Sequence, residues 1–335
     1  MRGCRLISLV LVGFCVTAGP RPAFAQVVES VGSRALGMGG AFVAVASDSS
    51  AVWWNPAGLA AGPFFDMALE QGRAQAAESL PAWRQRFSGF SAAAPPLGLS
   101  YYRFRITDIQ PFDPTTEQVA GSREDRRAGV PVRSLAASQL GVTVVQTLLP
   151  GVHAGATLKY VRGALHSARE DSLEAPGVLL DRGEELETGS RSGDLGIDLG
   201  VLAVAGVVRI GARMGNVREP EVGGIRMQRQ TRVGIAIDPE PVTDLPLTVA
   251  FDADVTEYDS VTGTRRTLAL GAEQWLFGRR LGLRGGGRVN TTGARERVGT
   301  AGASVSLRSG MFVDAHVSRG SAHEAGWSVT ARVSF

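Results

Sequence analysis

Gly37-Met38-Gly39-Gly40-Ala41 has the look of a phosphate-cradling loop, because glycine lets backbone N–H groups approach an anion closely. The third glycine of a dinucleotide fingerprint is replaced by Phe42, and no strand pattern precedes the run, so nucleotide binding is set aside. His153, His166, His316 and His323 stand among many serines, which leaves a nucleophile and base pair open by composition. No fixed spacing supports one, and such sites are recognised by geometry rather than count. Paired His and acid residues at metal-ligand spacing are also missing. The expectation is a chain that is not an enzyme and holds no cofactor and no metal.

The charged residues Asp252, Asp254, Glu273, Arg284 and Arg288 are more informative. Period-two alternation puts them on one face of three successive predicted strands, about 4.8 Å apart laterally, within reach of mutual pairing. The simpler reading is a stabilising charge ladder. The alternative is a polar constriction, or a dock for another segment. Phe42, Trp53 and Trp54 divide in the same way: they either anchor a segment by packing or line an apolar pocket, a type of site rich in aromatic side chains.

The elements that must position these groups are strands. From Trp327 to Phe335 the odd positions are Trp, Val, Ala, Val and Phe, and the even ones are Ser, Thr, Arg and Ser. Met311 to Ser318 and Leu247 to Thr256 repeat the alternation. Tight turns near Pro95-Pro96, Pro150-Gly151, Ala205-Gly206, Phe277-Gly278 and Ser309-Gly310 alternate with longer polar links, as a transmembrane barrel requires. The Pro-rich link from Asp238 to Asp244 is longer than this scheme allows. Counting from Phe64 gives about fourteen strands, an even number suited to closure. The fold class expected is all-β, a transmembrane antiparallel barrel with a lumen too wide for a few side chains to fill. Phe335, aromatic and in phase with the apolar face, is the expected membrane-assembly terminus read by barrel assembly machinery.

Residues 1–25 read as a cleavable signal peptide, with Arg2 and Arg5, an apolar stretch from Leu6 to Val16, and Ala23-Phe24-Ala25 before Gln26. Cys4 and Cys15 both lie in that leader, so no disulfide framework is expected. The formal charge of +3 also belongs to the leader, through Arg2, Arg5 and Arg21, so the chain's basic balance gives no argument for nucleic acid. Residues 26–62 then form an N-terminal hatch and 63–335 the barrel. Within the hatch, Asp48, Ser49 and Ser50 are helix-capping types ahead of Ala51 to Trp54, and Asn55-Pro56 ends that turn. The clusters Arg123 to Arg127 and Asp181 to Glu187 read as solvated loop tips.

Gly32-Ser33-Arg34-Ala35-Leu36-Gly37-Met38-Gly39-Gly40-Ala41-Phe42, with Ala46, Asp48 and Asn55-Pro56-Ala57-Gly58-Leu59, resembles the N-terminal signature of FadL-like outer-membrane proteins, in particular the PorV/PorQ-like branch. The closing stretches Phe312 to Ala315 and Arg332 to Phe335 are similar to that branch as well. The resemblance implies a fourteen-stranded outer-membrane barrel whose hatch carries Asn55, Pro56 and Ala57. It implies outer-membrane lipid around the protein, and one of two activities. One is passive transport of hydrophobic, long-chain fatty acid-like small molecules. The other is a PorV-type role as accessory to a protein secretion system, with secretion proteins as partners. Ser47 stands where the family often has a second acid beside Asp48.

Overall fold

The computed structural model describes residues 31–109, 129–170, 174–186, 191–260 and 262–335. The leader and the Arg123 to Arg127 cluster lie outside the described residues. Fourteen antiparallel strands close into a barrel. They are β1 (Asp66–Ala76), β2 (Ala82–Ala94), β3 (Leu97–Ile109), β4 (Val130–Leu149) and β5 (Val152–Glu170). Next come β6 (Ser192–Ala205), β7 (Val208–Gly215), β8 (Gln230–Ile237), β9 (Leu247–Asp254) and β10 (Thr267–Leu276). The ring ends with β11 (Leu281–Asn290), β12 (Arg297–Arg308), β13 (Met311–Gly320) and β14 (Ala325–Ser334), which pairs with β1 from Asp66↔Ser334 to Gln75↔Ala325. Closure leaves no unpaired edge, the condition for a sheet in lipid, where water cannot satisfy a free backbone group.

The expected turn scheme is present. Strands β2 and β3 join at Pro95-Pro96, β4 and β5 at Pro150-Gly151, β6 and β7 at Gly206-Val207, and β12 and β13 at Ser309-Gly310. Between β8 and β9 the overlong link contains a short helix, Glu240–Thr243. The opposite rim carries the long connections, including hairpins at Glu221–Arg226 and Tyr258–Arg265. Both barrel termini meet at the short-turn rim, where Phe65 and Phe335 exchange backbone hydrogen bonds and stack with ring centroids 6.3 Å apart.

Alternation decides which way each side chain points. Leu69, Leu140, Leu158, Ile210, Leu270 and Val317 are exposed on the outer face. Glu70, Gln139, Lys159, Asp252, Glu273 and Asp314 are buried on the inner one. An apolar belt of this extent is stable against lipid rather than water. No described helix is long and apolar enough to cross a membrane.

Helix α3 (Pro176–Glu185), in the chain between β5 and β6, departs from the solvated tip expected for Asp181 to Glu187. Its Leu179 and Leu180 are buried with Ile109, Val130 and Val132, which continue the outward-facing rows of β3 and β4. The helix therefore lies on the outside of the wall, because those rows rise beyond the lipid belt and their apolar side chains need a cover.

Candidate functional site

Residues 31–62 fill the lumen. Two short helices, α1 (Ser33–Gly37) and α2 (Ala51–Trp54), and a 3₁₀ turn, Pro56–Ala61, are joined by tight turns with Gly39 at φ 70° and Gly40 at φ 84°, a region that glycine occupies without strain. The segment touches strands around the ring: α1 contacts β11 to β14, and the 3₁₀ turn contacts β4 to β6. A cap from the Ser50 side chain is absent; its hydroxyl and its N–H both donate to Asp48 Oδ1 instead.

The fit is set by glycines at inward positions of the wall. A β-carbon at Gly155 would overlap Pro56, at Gly200 it would overlap Asn55, and at Gly271 or Gly286 it would overlap Met38. At Gly155, Gly271 and Gly286 backbone thus lies against backbone, and at Gly200 the Asn55 amide oxygen lies against the wall. Such glycines on a wet strand face were the available sequence signal for this contact, and sequence reasoning missed it.

Asn55 is the central fastener. Its Nδ2 donates to Val43 O at 2.8 Å and to Val201 O of β6 at 3.0 Å, while its Oδ1 accepts the N–H of Ala57 at 3.2 Å. Pro56 and Ala57 follow it into the wall contact. Phe42 and Trp54 are fully buried and meet edge-on at 6.1 Å, and Trp54 Nε1 donates to Val31 O at 2.9 Å. Trp53 differs from them, facing Tyr102 at 5.6 Å and Phe104 at 5.4 Å on β3, with the Arg213 guanidinium 5.9 Å from its ring.

The five charged residues do not form one ladder. Asp252 faces Gly234 on one neighbouring strand and Ala269 on the other, so it has no cation opposite. Its Oδ2 instead accepts the N–H groups of Phe42 and Val43 at 2.8 and 2.9 Å, which makes it a dock for the segment. Asp254 pairs with Arg232, directly across on β8, at 2.6 Å. Glu273 does pair with Arg284, its partner in register on β11, at 2.5 Å. It also takes Arg34 from the segment through two contacts of 2.8 and 2.6 Å. Arg288 sits apart and holds Glu324 at 3.1 Å near the long-loop rim.

Arg34, Arg232 and Arg332 complete this network and were not singled out from the sequence. Arg34 reaches Ser47 at 3.1 Å and Asp48 at 3.3 Å, so the hydroxyl and the neighbouring carboxylate serve the same cation. Arg332 bridges Asp314 at 3.1 Å and Asp66 at 3.3 Å, and Asp66 accepts the N–H of Ser49 at 2.8 Å. Lys159, the sole lysine, is held by Asp198 at 2.7 Å and by Asn216. Arg34, Arg232, Arg332 and Lys159 are thus each matched by buried carboxylates, while one carboxylate oxygen of Asp252 and one of Glu70 have no hydrogen-bond partner among the described residues.

Above the segment, a cavity bordered by Leu36, Trp83, Phe87 and His316 measures about 50 Å³. His316 bonds Ser328, and His153 bonds Thr147 near a turn. No group of metal-ligating side chains gathers among the described residues.

Neither a protein-family model nor a curated protein matches the chain. Solved structures do share its fold. The CymD monoaromatic hydrocarbon channel superposes with a TM-score of 0.65 at 15% identity, over 91% of this chain and 98% of that one. The toluene transporter TodX of Pseudomonas putida gives 0.55 at 14% identity, over 94% and 99%. A FadL homologue from Pseudomonas aeruginosa gives 0.57 at 10% identity, over 93% and 100%. The chain therefore has the barrel fold of these FadL-type proteins.

Proposed function

We propose that the protein is an outer-membrane barrel for passive passage of hydrophobic small molecules, with residues 31–62 as its hatch. The observation that carries this reading is the buried aromatic group Trp53, Tyr102 and Phe104, where the hatch packs on β3 inside the fourteen-stranded barrel. Aromatic walls take apolar ligands with few directional demands. The shared fold with a monoaromatic hydrocarbon channel and a toluene transporter supports the same reading. The polar clasps of Asp252 and Glu273 are reversible hydrogen bonds and ion pairs, so the hatch can shift without breaking the barrel ladder. The test is uptake of radiolabelled toluene and of a long-chain fatty acid by cells with and without the protein. Faster entry of at least one solute is expected, and equal rates for both would overturn the proposal.

A second reading, an accessory of a protein secretion system, is favoured by the close fit of the segment to the wall, where Pro56 abuts Gly155 and the Asn55 amide oxygen abuts Gly200. A barrel filled in this way would serve as a platform rather than a conduit. Deletion would then impair export of secreted proteins while leaving solute uptake unchanged.

A further inference from the structure

The outer wall carries a patch of cations that the lumen does not explain. On the outward rung shared by β14, β1, β2 and β3, Trp327, Arg73, Arg86 and Arg105 stand directly opposite one another. On the next rung toward the short turns, Ser88, Arg103, Ser138 and Arg162 follow in register. The rung after that is apolar and aromatic: Leu69, Phe90, Tyr101, Leu140, Tyr160 and Leu195. A groove of about 830 Å³ runs across the two basic rungs.

Like charges set directly across neighbouring strands repel. Relief from within the protein is partial: Glu184 of α3 reaches Arg86 at 2.8 Å and Arg84 at 3.4 Å. Arg73 bonds the Gln75 amide, Arg103 bonds the Tyr101 hydroxyl, and Arg105 and Arg162 have no carboxylate partner among the described residues. An arginine on the lipid face costs about 2–4 kcal/mol at the bilayer midplane and close to nothing at its edge. The basic rungs therefore mark the edge, on the long-loop side, with the aromatic rung as the upper limit of the hydrocarbon.

We propose that this patch binds the phosphate groups of lipid headgroups in the surrounding outer leaflet. The depth selects the source, since a lipid anchored in the hydrocarbon beside Tyr101 and Tyr160 presents its phosphates at the height of Arg103 and Arg105. Guanidinium groups hold phosphate oxygens through paired N–H donors, and the bound anion removes the repulsion along the rung.

The test is native mass spectrometry of the full barrel, released from phosphatidylcholine nanodiscs doped with lipid A or with dephosphorylated lipid A. Preferential retention of the phosphorylated form by about tenfold or more is expected. The combined variant R73S/R103S/R105S/R162S should lose the preference, and the all-lysine variant should keep part of it. If the combined variant does not fold, R105S alone should lower the preference at least twofold. Equal retention of both lipids, or an unchanged preference in the serine variants, would overturn the proposal. Displacement of the lipid by millimolar inorganic phosphate would also overturn it, because the site would then hold a free anion rather than a lipid.

Discussion

Gly200 on β6 and Asn55 in the lumen segment occupy adjoining space so closely that a β-carbon on Gly200 would overlap Oδ1 of Asn55. That oxygen also accepts the Ala57 N–H, and the amide nitrogen beside it holds Val43 and Val201. The wall and the segment are therefore fitted at this point, with no room for a side chain at position 200.

Gly200→Ala is expected to push Asn55 out of its three hydrogen bonds. Overpacking of this kind costs about 1–3 kcal/mol, and the freed polar atoms add to it. The readout is limited proteolysis within residues 31–62, which should become faster while the barrel stays heat-resistant. Gly285→Ala is the control, since a β-carbon there meets no atom within 4 Å, and its digestion pattern should match the parent's.

The buried ion group at Arg34 gives a second prediction. Arg34→Ala leaves Glu273 with Arg284 alone, and Glu273→Gln leaves two guanidinium groups without their shared carboxylate. Breaking one partner of a buried pair costs about 3–5 kcal/mol. Each single variant should lower the denaturant midpoint, and the double variant should lose less than the sum of the two. Strict additivity would show that Arg34 and Glu273 do not depend on each other.

How much of this was legible in the sequence follows from what a two-residue period encodes. It gives the face of Asp252, Glu273 and Arg284, hence the wall and the lumen, because each wrong assignment would put charge into lipid. It does not give register, and register is what pairs Asp254 with Arg232 and leaves Asp252 opposite Gly234 and Ala269. The ladder was therefore preferred to the alternative of a dock. Trp53 and Trp54 are adjacent and look equivalent, yet one is sealed against Phe42 while the other faces Tyr102. Their difference depends on how the segment sits in the ring, a long-range property. Helix α3 was overlooked because Leu179 and Leu180 lie within a charged run, and only the risen rows of β3 and β4 supply their cover.

A third prediction concerns pH at that helix. Its hydrogen bond from Arg84 holds the Asp181 carboxyl below the ordinary aspartate value of 3.8. A lowered value means that the contact stabilises the docked helix above 3.8 and loses that effect as pH falls through the folded-state value. The Asp181 side chain is 63% exposed, so solvent screens the pair and the change is small. Amide exchange in 176–185, corrected for the intrinsic rate, should rise below that pH. Arg84→Met should produce the same rise at neutral pH, and an unchanged rate in that variant would show that Leu179 and Leu180 alone hold the helix.

The last prediction separates packing from passage at Trp53. The ring is 8% exposed and lies between the aromatic pair on β3 and the guanidinium of Arg213, so its removal both weakens the packing of the lumen segment and opens apolar space. Trp53→Ala should cost about 3–5 kcal/mol if the space stays empty. The lining left behind is Tyr102 and Phe104, an apolar surface on which a monoaromatic solute can replace the indole. Added toluene should therefore restore part of the lost thermal stability in Trp53→Ala and change the parent little, since ligand binding to the folded state raises its stability by mass action. Trp54→Ala serves as the contrast: its ring packs on Phe42 inside the segment, away from Tyr102, so toluene should not rescue it. Equal rescue of both variants would mean that any buried void accepts the solute, and Trp53 would then mark no particular path through the lumen.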